Sequence, residues 1–165
     1  MNVTFSFIIP VLHEAPVIRD AVQRIRMLDG GESVEIIVVD GDPEGETLCA
    51  LPDGAVRKIL SAPGRGCQLN RGAEAASGEV LVFLHADTAL PQNALVRIGE
   101  ALSDAALTGG AFDLAIDSSR PIFRVIERVA SRRSRITRVP YGDQAIFLRR
   151  ARFLALGGFR ELPVM

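Results

Sequence analysis

The sequence predicts an α/β fold, a mostly parallel sheet with helices on both faces. Three observations carry this. Short apolar runs alternate with segments of helical period from Thr4 to Leu102, the pattern of a sheet wrapped by helices. The runs Val34–Val39 and Val80–Leu84 are nearly continuous, as in strands buried on both faces. Polar residues follow the runs at once, at the edge where open α/β sheets bind ligands.

The elements follow in order. Thr4–Ile9 is β-branched and aromatic and reads as a strand stopped by Pro10. Pro16 suits the first turn of a helix, and Val17, Ile18, Ala21, Val22, Ile25 and Leu28 recur at helical spacing until Asp29-Gly30-Gly31. Val34–Val39, interrupted only by Glu35, is the second strand, and Glu46–Leu51 a short helix. Val56–Leu60 is a weaker strand, followed by a helix from Cys67 to Ala76. The anchor strand Val80–Leu84 leads into a helix opened by Pro91, with Leu95, Ile98 and Leu102 on its apolar face. Beyond it, Gly109–Leu114 and Ala145–Leu148 read as strands, Ile122–Ser134 as an amphipathic helix and Ala151–Leu156 as a helical turn stopped by Gly157-Gly158.

Hydrophobic residues make up 48% and charged residues 24%, which supplies a core and excludes a disordered chain. A net charge of −1 provides no global field for nucleic acid. Lys58 is the only lysine among 19 basic residues, which fits either a composition bias or a use of bidentate phosphate contacts. Cys49 and Cys67 form neither a disulfide framework nor a metal spacing and read as reduced thiols. No basic region precedes Phe5–Pro10, and no run approaches the ~20 apolar residues of a membrane span. The expectation is a cytoplasmic protein.

Three polar clusters fall at predicted strand ends: His13-Glu14, Asp40, and His85-Ala86-Asp87. A single strand-end Asp is ordinarily a cap or turn residue. Three clusters at one edge point to one site, with carboxylates for a metal and for a ribose or base. Gly64-Arg65-Gly66-Cys67-Gln68 enters a helix N-terminus, where free N–H groups favour anions and an arginine suits a diphosphate. Gly64-x-Gly66 also raises a dinucleotide-dependent oxidoreductase, but Leu69 replaces the third glycine of that fingerprint.

The ordered set Phe7–Glu14, Glu35–Gly41, Arg65/Gln68/Asn70 and Leu84-His85-Ala86-Asp87-Thr88 resembles family 2 glycosyltransferases of the GT-A, Rossmann-like fold. Tyr141–Phe147 and Leu156–Phe159 resemble the acceptor-side part of that family. The resemblance covers nearly the whole chain. It implies transfer of a sugar from a UDP- or GDP-linked donor to an acceptor hydroxyl, with inversion. Pro10, Leu12, Glu14 and Asp40 would hold base and ribose; Arg65, Gln68, His85, Ala86 and Asp87 would line the rest of the nucleotide-sugar site. His85-Ala86-Asp87 matches the family's Asp-x-Asp metal motif with His first, so Asp87 would carry Mn²⁺ or Mg²⁺. His85 is either a second ligand, which leans toward Mn²⁺, or a hydrogen-bond partner of the diphosphate. His13 stands where the family usually has Asn.

The resemblance also implies a general base from an acidic pair just after a segment like Gly158–Met165. This predicts one domain over residues 1–165, truncated at its C-terminus, with residues 1–104 binding the donor and 105–165 beginning the acceptor side. Within the chain Asp143 is the candidate base and Glu161 a second one; a turn role is the alternative for Asp143. A non-catalytic nucleotide-sugar-binding module is the rival reading. The Arg124–Arg138 face reads as a solvated helix face, a surface for a lipid-linked acceptor, or a peripheral contact with the inner membrane face. Nucleic acid is not expected, because stacking aromatics are missing from that run.

Overall fold

The computed structural model describes residues 3–54 and 56–161. Its elements are β1 (Phe5–Val11), α1 (Ala15–Arg26), β2 (Glu35–Asp40), α2 (Glu46–Cys49), β3 (Arg57–Leu60), α3 (Arg65–Ala75) and β4 (Val80–Phe83). There follow α4 (Ala94–Ser103), β5 (Gly109–Gly110), α5 (Pro121–Thr137), β6 (Ile146–Arg149) and α6 (Arg150–Ala155). Leu162–Met165, the end of the acceptor-side segment, lies outside the described residues.

The strands form one six-stranded sheet in the order β3-β2-β1-β4-β6-β5. β1 is paired in parallel with β2 on one side and β4 on the other, and β3 extends the parallel part. β6 runs antiparallel to β4, and β5 antiparallel to β6. The sheet is therefore parallel over the first half of the chain and mixed at one edge.

Side chains alternate across a strand, and here both faces are covered. Phe7, Ile9, Val11, Ile36, Val38, Val80 and Val82 pack on one face with Ile18, Ile25, Ile98 and Leu102 of α1 and α4. Ile8, Ile37, Val39, Leu81 and Phe83 pack on the other with Leu69 and Ala73 of α3 and Phe153 of α6. That is why the runs in β2 and β4 lack the alternation of a half-exposed strand. Truncating Ile8, fully buried at the centre, would cost ~2–5 kcal/mol.

Three local expectations need correction. The strand expected over Gly109–Leu114 pairs only at Gly109–Gly110. A Cβ on Gly110 would stand 2.8 Å from the Phe147 ring, so the glycines let β5 lie against β6. Beyond them the Phe112 backbone is held by Gln144, its N–H donating to the Gln144 carbonyl at 2.8 Å and its carbonyl accepting from Gln144 Nε2 at 3.1 Å, before the chain leaves the sheet. The amphipathic helix expected over Ile122–Ser134 runs further, through Thr137. Glu35 is not a lapse in an apolar strand: it accepts hydrogen bonds from the Ser6 hydroxyl and the Ser77 backbone N–H at the foot of the sheet.

Candidate active site

The loops that follow β1, β2 and β4 leave from the same edge of the sheet, because those strands are parallel neighbours. A fourth loop, Pro140–Gln144, arrives from α5. Together they bring Arg65, His85, Asp87 and Asp143 around one cleft, while Glu14 and Asp40 lie behind it and line neither of its cavities.

The first loop is held by a relay. The Glu14 backbone N–H donates to the Thr47 hydroxyl at 3.1 Å. The Thr47 N–H donates to one Asp40 carboxylate oxygen at 3.2 Å, and the Asp42 N–H to the other at 3.0 Å. Asp40 has 0% exposure and spends both oxygens on backbone. Asp40 therefore has a structural role, shaping the loops that present Glu14, beside the contact with base or ribose expected of it.

Glu14 itself is half-buried, and its Oε2 is buried with no hydrogen-bond partner among the described residues. Burial raises its carboxyl above the ordinary range, Asp87 adds to the rise, Arg65 opposes it, and Asp40 adds a smaller push. The charges that act on Glu14 thus come from Asp87, Arg65 and Asp40, which the sequence scatters.

Two adjoining cavities occupy the cleft. One of ≈ 390 Å³ has Pro10, Leu69, Phe83 and Phe159 among its apolar walls, with Arg65, His85 and Arg160 as its cationic or titratable groups. The other, ≈ 370 Å³, is lined by Arg65, His85, Asp87, Tyr141, Gly142 and Asp143. Arg65, His85 and Gly142 belong to both. A Cβ on Gly142 would stand 3.3 Å from His85 Nε2, so a side chain there would press on the imidazole. Burial and the Arg65 guanidinium hold the His85 imidazole below its ordinary value, against the pull of Asp87 and Asp143. A neutral imidazole keeps a lone pair for a ligand or hydrogen bond.

A larger cavity of ≈ 770 Å³ lies between α5 and the β5–β6 edge and contains none of the strand-end residues. We place the site in the smaller pair, where titratable groups converge.

The remaining expected residues are placed as follows. Ala86 is buried, and its carbonyl accepts from Arg24 at 2.7 Å, which anchors the His85-Ala86-Asp87 loop. Gln68 is 3% exposed, and its Nε2 donates to the Val11 and Val39 carbonyls at 2.7 and 2.9 Å. Its amide nitrogen thus staples the ends of β1 and β2. Leu12 is half-buried beside His13 and lines neither cavity. His13, with φ 57°, turns its Nδ1 to Glu46 at 3.5 Å and Asp42 at 3.9 Å. Gly66 faces the chain itself: a Cβ there would stand 2.5 Å from the Arg160 carbonyl oxygen. Gly66 thus serves chain packing, and the oxidoreductase reading loses its support.

Sequence reasoning missed Thr47 and Arg160. A threonine in a short helix and an arginine after two glycines carry no signal until the loops are folded. Tyr141 and Gly142 sat in a recognised motif but were not named as wall residues.

The family model for glycosyl transferase family 2 matches residues 6–157. No curated protein matches the sequence. Among solved structures, a mannosyltransferase from Pyrobaculum calidifontis in complex with GDP-Man and Mn²⁺ aligns at TM-score 0.75 and 22% identity, covering 98% of this chain and 48% of that one. TarS 1–349 from S. aureus aligns at TM-score 0.70 and 17% identity, covering 96% and 50%. Glucosyl-3-phosphoglycerate synthase from Mycobacterium tuberculosis, in complex with Mn²⁺, UDP-glucose and phosphoglyceric acid, aligns at 0.64 and 20%, covering 91% and 58%. The chain spans about half the length of these structures. At these identities the likeness shows the fold, the GT-A architecture, while the family model runs from β1 to the glycine pair after α6. The chain belongs to glycosyl transferase family 2.

Proposed function

We propose that the cleft is the donor site of a metal-assisted glycosyltransferase that moves a sugar from a UDP- or GDP-linked donor to an acceptor hydroxyl with inversion. The observation that carries this is the meeting of Arg65, His85, Asp87 and Asp143 around one cavity at the carboxyl edge of the parallel strands. Mannosyl and glucosyl enzymes of the same fold crystallise with Mn²⁺ and nucleotide sugars, which supports the donor class.

The donor set fits a divalent ion. Such ions are commonly held by one or two carboxylates plus substrate phosphates. Asp87 is exposed at the cavity, its only hydrogen bond among the described residues being a long one from the Thr88 hydroxyl at 3.4 Å. Asp87, with His85 as a second donor, would hold Mn²⁺ or Mg²⁺, which when bound supplies Lewis-acid stabilisation of the departing diphosphate.

The chain's own groups do the rest. Arg65 places a planar cation against the diphosphate and stabilises the charge that builds on it as the glycosidic bond breaks. Asp143, across the cavity, takes the proton from the acceptor hydroxyl as its oxygen bonds to the anomeric carbon. The diphosphate leaves from the opposite face, so a single displacement inverts the centre.

Thermal unfolding with UDP- and GDP-sugars, with and without Mn²⁺, tests the reading. A ligand at a hundred times its Kd stabilises by ~2.7 kcal/mol, so a shift of several degrees is expected with one donor and the metal. No response to any nucleotide would overturn the donor site. Binding without sugar transfer or donor hydrolysis would instead leave a nucleotide-sugar-binding module.

A further inference from the structure

Among the described residues, helix α5 turns its apolar stripe outward. Amphipathic helices of globular proteins bury the apolar stripe and expose the polar one. Here the face turned to the protein is mostly polar and small, with half-buried Phe123 its one large apolar side chain. Glu127 accepts the Ile116 N–H, Ser131 the Leu114 N–H at 3.2 Å, and the Ser134 hydroxyl donates to Gln144 at 2.6 Å. Ala130 is the helix's only buried residue. The outward face carries Ile122, Val125, Ile126, Val129 and Ile136, exposed at 54, 52, 43, 62 and 76%. Their spacing keeps them on one stripe along a helix of 17 residues.

The stripe is bordered by charge of one sign. Between residues 120 and 139 stand seven arginines and one acid, Glu127, in a chain whose net charge is −1. Glu127 is paired with Arg124 at 3.0 Å, and Arg135 with Asp113. Arg128 and Arg132, one turn apart beside the stripe, have no partner among the described residues.

We propose that α5 is the surface by which this protein docks on an anionic lipid bilayer. The apolar stripe would enter the boundary between headgroups and acyl chains, and the arginine stems would run along it with their guanidinium groups at the lipid phosphates. Charge complementarity selects this occupant. A symmetric contact between two copies of α5 would bring Arg128 and Arg132 of each against their like charges. Nucleic acid would use the arginines and leave the isoleucines and valines in water.

The docked face adjoins the cleft. Arg133 of α5 stacks on the Tyr141 ring at 4.3 Å, and Tyr141 lines the cavity that holds Asp87 and Asp143. An acceptor hydroxyl carried by a lipid would then reach the site from the membrane plane. That consequence rests on the transfer reading above; the docking does not, and its test uses no donor.

The test is co-sedimentation with vesicles of phosphatidylcholine, with and without phosphatidylglycerol, at low and high salt. The expected result is binding to the anionic vesicles only, weakened by salt. Val125→Asp with Val129→Asp, and separately Arg128→Glu with Arg132→Glu, should each reduce binding by roughly tenfold or more. All four positions are exposed, so unchanged melting is expected and certifies the fold. Four results would overturn the proposal: no binding, equal binding to neutral vesicles, wild-type binding by the Val125/Val129 variant, or a lipid-free dimer that this variant dissolves. The last would assign the face to a second copy.

Discussion

The side-chain amide of Asn70 reads both backbone groups of Phe159: its Oδ1 accepts the Phe159 N–H at 2.8 Å and its Nδ2 donates to the Phe159 carbonyl at 2.9 Å. The two residues are far apart in the chain, and the pair ties the segment after α6 to α3. The Phe159 ring sits 5.0 Å from Phe83 and 5.2 Å from Phe153, and both Phe159 and Arg160 line the apolar-walled cavity of ≈ 390 Å³. Asn70→Asp keeps the shape but replaces the donor with an acceptor facing a carbonyl. A loss of about 1–3 kcal/mol is expected in urea unfolding. If donor binding is measured as well, it should weaken, because Arg160 loses its anchor beside Arg65.

Asp40 is expected to matter for folding before it matters for binding. Asp40→Ala strands the buried N–H groups of Asp42 and Thr47 and should cost about 1–3 kcal/mol. Asp40→Asn retains one acceptor and should cost less. A substitution that leaves the unfolding midpoint untouched while nucleotide affinity falls would reverse this assignment and return Asp40 to the ligand.

Glu35 should make stability depend on acid. Burial alone would raise its carboxyl, but the hydrogen bonds from Ser6 and Ser77 and the Arg57 charge outweigh it and hold the group below its usual 4.5. The unfolded chain then takes up the proton first as pH falls. The stabilisation is complete above 4.5 and is lost as pH drops through the lower, folded value. Glu35→Gln should flatten that part of the curve of unfolding midpoint against pH. An identical acid limb in both proteins would remove Glu35 as its source.

Asp87 and Asp143 should separate by readout. Asp87 is exposed, so Asp87→Ala should fold normally and lose the Mn²⁺-dependence of nucleotide binding. Asp143→Asn should bind donor with metal as before and lower kcat by ~10²–10⁴-fold, the range for removal of a general base. Calorimetric titration of donor, paired with a transfer assay, distinguishes the two. Unimpaired turnover in Asp143→Asn would free Asp143 from the chemistry.

The sequence by itself determined the parallel sheet and the edge at which the site lies. Continuous apolar runs demand burial on both faces, and parallel neighbours put the residues that follow them on one side. His13-Glu14, Asp40 and His85-Ala86-Asp87 were legible as a group for that reason. What each does was not, since a carboxylate that caps a loop and one that meets a ligand have the same spacing. Only tertiary contacts separated them: Asp40 and Gln68 are buried with their polar atoms engaged by backbone, whereas Glu14 keeps an oxygen unpartnered and Asp87 stands exposed. The direction of α5 was hidden in the same way. Helical period shows that a stripe is apolar; which side of the helix meets the protein depends on Leu114, Ile116 and Gln144 offering polar partners to Ser131, Glu127 and Ser134, and those arrive from elsewhere in the chain.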